Sequence, residues 1–224
     1  MQLRLSRKIL FYIFLIIFLS TFNNKYFSNI ALKTVDEITI IGLNDREMQD
    51  LLDNLESLNL KNIFFLNKFE LVKKLEANKL IENYTVFKNY PSSIEIRVTK
   101  TKFLANIFKD GKTFVLGSNG KLIQSVNKDN NLPNIFGDYD NNSFFNLLKS
   151  IKKSKFELSS VKNLYFFKSG RWDIETDKNV IIKLPKESLE DSLNLSLSLL
   201  HNKEFKNTKI LDLRQDNQVI VNGK

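Results

Sequence analysis

A charge-free run of 16 residues, Ile9 to Asn24, constrains this 224-residue chain more than any other feature. Its centre, Ile9-Leu10-Phe11-Tyr12-Ile13-Phe14-Leu15-Ile16-Ile17-Phe18-Leu19, is apolar on every face, and Arg4, Arg7 and Lys8 precede it. A helix packed on a soluble core would carry a polar side, which disfavours a buried core helix. A cleaved signal peptide needs a small-x-small site. Here Phe18 stands two before Ser20, Tyr26 two before Ser28 and Asn29 two before Ala31, so no such site follows. The run therefore reads as an uncleaved membrane anchor. As a helix it extends roughly 24 Å, short of a hydrocarbon core of about 30 Å. Arg7, Lys8 and Lys25 can snorkel, and Tyr26 and Phe27 suit the interface, which closes the gap. The basic flank places residues 1–8 in the cytoplasm, residues 9–26 in the membrane and everything later outside the cytoplasm.

The same segment holds much of the net charge. Of the formal +9, residues 1–33 carry +5, and residues 34–224 hold 29 bases against 25 acids. The bases are 28 Lys and 6 Arg, with few of the planar forks that grip phosphates and base edges. This is a lysine-rich solvated surface, and it excludes nucleic acid as the partner. With no cysteine there is no disulfide framework, thiolate zinc site or cysteine nucleophile, and one histidine leaves little for metal. No cofactor and no small-molecule substrate are expected.

Two modules follow. Val35–Gly42 reads as a strand ended by glycine, and Asn44 with Glu47 as a capping box opening a helix with Leu51, Leu52, Leu55 and Leu58 in its stripe. A second helix is expected from Lys68 to Asn78, with Phe69, Val72 and Leu75 on one face. Tyr84–Phe87, a turn at Asn89–Ser92 and the alternating Ile94–Val98 complete a β-α-α-β-β order over residues 34–101. Residues 102–224 are richer in strands. Ala105–Phe108, Thr113–Leu116 and Lys121–Gln124 are divided by Asp110-Gly111 and Asn119-Gly120, both hairpin signals. A helix over Ser143–Lys152 leads to strands at Val161–Phe167, Trp172–Glu175 and Val180–Leu184. Glu187 or Ser188 then opens a helix with Leu189, Leu193, Leu197 and Leu200 in its stripe. Ile210–Leu213 and Val219–Val221 form a closing hairpin across Gln215–Asn217. The fold class is α+β, a mainly antiparallel distal β domain with two helices after the first module.

These residues in order resemble the FtsQ/DivIB family of cell-division proteins. The resemblance rests on the anchor, Val35…Ile38…Ile40…Gly42, Asn62-Ile63-Phe64 and Asn89-Tyr90-Pro91-Ser92-Ser93-Ile94-Glu95-Ile96 for a POTRA module. In the second half it rests on Asp110-Gly111, Gly120, Leu132-Pro133-Asn134-Ile135-Phe136-Gly137, Arg171-Trp172-Asp173, Val180…Leu184-Pro185 and Asp212-Leu213-Arg214. It looks most like the short alphaproteobacterial members. The chain departs from the family at Lys100 and Phe103, where Glu and Pro are usual, and at Gln215, where Tyr is common. The resemblance implies a bitopic inner-membrane protein without enzymatic activity. It would be a divisome scaffold at the septum that binds FtsB and FtsL, contacts FtsK, FtsW and FtsI, and helps control septal wall synthesis. The POTRA module is associated with recruitment, and the last strands of the distal domain with FtsB. Other readings are an anchored periplasmic cell-wall hydrolase and a POTRA-bearing envelope assembly component.

Candidate sites divide by chemistry. His201 has no partner ligand and suits the end of its helix, where a cation complements the dipole. Asp138–Asn142 resembles a calcium loop, but Ser143 stands at the glycine position and Lys149 at the bidentate acid, so a helix cap is the better reading. Asp173, Glu175 and Asp177 alternate toward one face. Two carboxylates there could serve a glycosidase, and a solvated strand face is the ordinary reading. Trp172 reads as a core aromatic. Val219, Ile220 and Val221 would form an added-strand template if they lie at a sheet edge, with Arg171, Arg214 and Gln215 as its polar rim.

Overall fold

The computed structural model describes residues 6–21, 35–56, 58, 63, 66–125, 127–205, 207–215 and 218–222. Helix α1 (Arg7–Thr21) spans 15 residues, and the hydrophobic side chains from Ile9 to Leu19 are all exposed. Among the described residues no helix is long and apolar enough to cross a membrane. The remainder of the expected span, with Lys25, Tyr26 and Phe27, lies outside the described residues. Two compact units are distinguished: Met1–Asn78 with Asn83–Thr99, and Lys79–Glu82 with Lys100–Lys224.

In the first unit, β1 (Glu37–Ile41) pairs in parallel with β3 (Ser93–Lys100), and β2 (Ile81–Asn89) lies on the far side of β3. Helices α2 (Asp45–Glu56) and α3 (Lys68–Ala77) complete the expected β-α-α-β-β order. The capping box forms: Asn44 Oδ1 accepts from the Glu47 amide at 2.9 Å, and Glu47 Oε2 accepts from the Asn44 amide at 3.3 Å. Gly42 is required where it stands. Its φ is +108°, and a Cβ there would lie 1.9 Å from the Val98 carbonyl oxygen. The core holds Leu51 and Leu55 of α2, Ile63, Leu71 and Leu75 of α3, and Ile94 and Ile96 of β3. Leu52 and Leu58 of the expected stripe are half-buried, and Asn62 and Phe64 lie outside the described residues.

The core face of α3 corrects the expected one. Phe69 is 74% exposed, and Leu71 with Leu75 points inward. At 3.6 residues per turn, steps of three drift about 60° each, which leaves positions 69 and 75 about 120° apart. Positions 71 and 75 sit about 40° apart and share a stripe. Asn67 caps the helix by accepting from the Phe69 amide at the first turn.

The second unit is built on one nine-stranded sheet. β4 (Phe103–Lys109) and β5 (Lys112–Gly117) are joined by Asp110-Gly111, both with positive φ (50° and 71°), as a tight hairpin turn demands. β6 (Leu122–Ser125), β7 (Asn134–Phe136), β8 (Val161–Phe166), β9 (Trp172–Thr176), β10 (Ile181–Lys183), β11 (Ile210–Asp212) and β12 (Ile220–Asn222) complete the order β12-β11-β10-β9-β8-β7-β4-β5-β6. Val219 lies just before β12, outside the strand in which it was expected.

The sheet is more mixed than its hairpins suggest. Three of its eight neighbouring pairs are parallel: β4–β7, β7–β8 and β10–β11. Two of these are crossovers through helices, α4 (Asn141–Lys153) between β7 and β8 and α5 (Leu189–His201) between β10 and β11. Crossovers that step the same way between like-directed strands, with the usual right hand, place their helices on one face. The helix-bearing face reads Ile107, Ile135, Leu164, Ile174, Ile182, Leu211 and Val221 in one register row. All but Val221 are buried, and Phe144, Leu147 and Leu193 from the two helices close over them.

Local chemistry sets the helix ends. Asp140 Oδ1 accepts from the Ser143 amide at 2.9 Å, which starts α4 two residues before Ser143. Ser188 precedes α5 in a left-handed conformation, φ 56°, and its side chain makes no capping bond. Of the expected α5 stripe, Leu193 is fully buried, and Leu189, Leu197 and Leu200 pack half-buried against the same core. Gly137 ends β7 with φ +99°, and a Cβ there would meet the Phe166 carbonyl oxygen at 2.2 Å.

Candidate partner-binding edge

Among the described residues the strand order leaves β12 at the end of the sheet, paired on one side only, with β11. Val219, Ile220 and Val221 are 37%, 52% and 36% exposed. A terminal strand of this kind presents unused backbone N–H and C=O groups, and apolar side chains make them available to another strand. Ile220 and Val221 face opposite ways. Val221 opposes Leu211 and extends the apolar row under the helices, and Ile220 opposes Asp212 on the helix-free face.

That second face brings four of the six expected residues together. Arg171, Arg214, Gln215 and Ile220 line a groove of about 420 Å³ with Ser169 and Lys186. Val219 and Val221 do not line it. Charges reach the groove along one register row, Asp173–Lys183–Asp212, which ends on Ile220. Arg214 is fixed by Asp212: its Nε donates to Oδ1 at 2.8 Å and its Nη2 to Oδ2 at 2.5 Å. The fork holds the Asp212 carboxyl below the usual carboxylate range.

Arg171 is held differently. Its guanidinium lies 4.6 Å from the centre of the Phe167 ring, and its Nε is 3.8 Å from Asp173 Oδ1. That separation is too long for a hydrogen bond, and both atoms are buried without a hydrogen-bond partner. Burial pushes the Asp173 carboxyl up, against the pull of Arg171, Lys183 and Arg214. Next to Asp173 in the sheet, Tyr165 stacks on Phe136 with centroids 5.3 Å apart.

The other candidates resolve into structural roles. Glu175 Oε2 accepts from Asn163 at 2.8 Å and from the Tyr165 hydroxyl at 2.7 Å, and these bonds hold its carboxyl below its ordinary value. Neither Asp173 nor Glu175 lines the groove, and Asp177 sits in the exposed turn after β9. His201 Nδ1 lies 2.7 Å from the Leu197 carbonyl oxygen at the end of α5. Asp140 is the cap of α4, and among the described residues no group of three His, Cys, Asp or Glu side chains is placed to hold a metal. Trp172 is 2% exposed and its indole N–H donates to Ser143 Oγ at 2.9 Å.

Residue-by-residue reading missed Asp212, Phe167 and Lys186. The first was legible, because positions 212 and 214 lie two apart in extended chain and so point the same way. Phe167 and Lys186 meet Arg171 and the groove only through the fold.

The acid limb of stability follows from these carboxyls. Asp212 and Glu175 have folded-state values below their unfolded ones, so each contributes stability above the unfolded value and loses it as pH falls through the folded one. Asp173 runs the other way, since charging it as pH rises costs stability. Thermal melts between about pH 3 and 7 should show the midpoint falling on the acid side. The fall should be shallower in Asp212→Asn, and Asp173→Asn should gain relative to wild type toward neutral pH.

Residues 33–100 match the family profile for the POTRA domain, FtsQ-type, and residues 105–214 match Cell division protein FtsQ/DivIB, C-terminal. The chain belongs to the FtsQ/DivIB family. Cell division protein FtsQ of Rickettsia typhi is 27% identical over 194 residues, which cover 84% of this chain and 68% of that one. FtsQ of Rickettsia bellii is 25% identical over 190 residues, 84% of this chain and 71% of the relative. The major extracytoplasmic domain of the cell-division protein DivIB from Geobacillus stearothermophilus, as its trans isomer, aligns at 12% identity and a TM-score of 0.36, over 46% of this chain and 92% of that one. Within the FtsQ/DivIB C-terminal match lie Arg171 and Arg214. Gln215 is the next residue after the match, and β12 (Ile220–Asn222) lies beyond it.

Proposed function

We propose that this FtsQ/DivIB-family chain is a non-enzymatic divisome scaffold, held in the inner membrane by residues 9–26, that captures a partner strand on β12. The observation that carries the reading is the free, apolar edge of β12 beside a groove rimmed by Arg171, Lys186 and Arg214. Main-chain bonds to the edge would supply affinity, and the rim would select acidic side chains flanking the added strand. Family resemblance names FtsB as that partner and FtsL, FtsK, FtsW and FtsI as further contacts. The segment before the POTRA module would be the anchor, with the N-terminus cytoplasmic and the two modules periplasmic at the septum.

Depletion of the protein should leave filamentous, undivided cells; cells that divide normally would refute the divisome role. For topology, a reporter active only outside the cytoplasm, fused after Lys224, should be active and stay with the membrane. A soluble product about 25 residues shorter would instead establish a cleaved leader of ordinary signal-peptide length.

A further inference from the structure

A second cavity lies at the other end of the same strands. β9 runs from Trp172, next to Arg171 at the groove, to Thr176, next to Asp177, and β11 runs from Ile210, next to Lys209, to Asp212, two residues before Arg214. Asp177 and Lys209 line a cavity of about 650 Å³ between these strand ends and the last turns of α5. Its apolar lining is Phe156 and Val180, both buried, with Leu197, Leu200 and Phe205, half-buried, and Ser160, Asn207 and Thr208 line it beside them. The volume falls in the range of small-molecule sites, roughly 300–1,000 Å³.

The polar groups of the cavity are unevenly used. Thr176 Oγ1 is taken by the Val180 backbone, 3.2 Å from its amide. The carbonyls at the end of α5 also have donors, Leu199 O from the Asn202 amide and Leu197 O from His201. A carbonyl only accepts, so His201 Nδ1 is the donor in that contact. At the mouth stand Lys178 and Lys209 against the single acid Asp177. Neither lysine has an ion-pair partner among the described residues, whereas Lys162 nearby is held by Glu175 and Asn179. An apolar pocket with unpaired cations at its mouth complements a ligand with the opposite arrangement.

We propose that this cavity binds a small amphipathic anion, its aliphatic or aromatic body against Phe156, Val180 and Leu200 and its single anionic group between Lys178 and Lys209. The site is independent of the β12 edge and of the scaffold reading. The probe is octanoate, titrated calorimetrically into the full chain in zwitterionic nanodiscs, with empty nanodiscs as the blank and octylammonium as the charge-reversed twin. Octanoate should bind saturably at one site per chain, and octylammonium at least tenfold more weakly. Lys178→Glu with Lys209→Glu, both at exposed positions, should invert that preference without moving the thermal transition. Leu200→Trp, which fills the pocket, should abolish binding of both. Heats equal to the blank, equal affinity for the two amphiphiles, or octanoate binding unchanged by the lysine reversals would each overturn the site. The lysine pair decides the question even where Leu200→Trp disturbs folding.

Discussion

Trp172→Ala should destabilise the second unit by about 4 kcal/mol, within the range for loss of a buried aromatic side chain. The indole is the largest fully buried side chain in the protein. It packs against Phe166 at 4.8 Å between ring centroids, Tyr139 at 6.0 Å and Phe144 at 6.1 Å. Truncation would leave a void among three rings, Phe166 on the sheet, Phe144 on α4 and Tyr139 packed on Phe144, so collapse is limited. It would also strip Ser143 Oγ of its donor at the first turn of α4. Trp172→Phe, which restores most of the volume without the N–H, should cost about 1–2 kcal/mol. Urea denaturation read by circular dichroism separates the two through their midpoints at unchanged slope. A Trp172→Ala midpoint within error of wild type would mean that this cluster is not the core of the unit.

The parts of the fold that were legible in sequence are those written in local chemistry. Asn44 with Glu47 formed the expected cap, Asp110-Gly111 the expected turn, and alternation in Ile94–Val98 placed Ile94, Ile96 and Val98 inward. What escaped depends on partners distant in sequence. β7 is three residues long and carries no periodicity of its own. It is a strand because β4 and β8 supply hydrogen bonds on both sides and Gly137 lets the Phe166 backbone approach. The α3 face was misread because steps of three joined Phe69 to Leu75, whereas at 3.6 residues per turn Leu71 and Leu75 share the buried stripe. At the candidate site, the rarity of arginine in a lysine-rich chain singled out Arg171 and Arg214. Asp173 and Asp212 stand two residues from these arginines in extended chain and were legible in the same way. That Arg171, Arg214, Lys186 and Ile220 share one groove follows from the strand order, which no single segment encodes.

A proline in β12 should have the largest effect on partner capture. It removes one backbone donor and leaves most of the exposed surface unchanged. Because β12 lies outside the buried core, the cost to the rest of the unit is confined to its pairing with β11. Loss of main-chain bonds worth about 1 kcal/mol each, with the register they set, corresponds to at least about a tenfold weaker complex. Ile220→Thr and Val221→Thr keep the amide and the branched shape, and should bind within a few-fold of wild type. Ile220→Pro and Val221→Pro are tested side by side, since alternate residues of a strand turn their amides to opposite sides. The deciding measurement is FtsB captured by the full chain and by each variant, with circular dichroism establishing that each is folded. Strand addition on β12 predicts that at least one folded proline variant loses FtsB while both threonine variants keep it. Undiminished capture by both folded proline variants would contradict it.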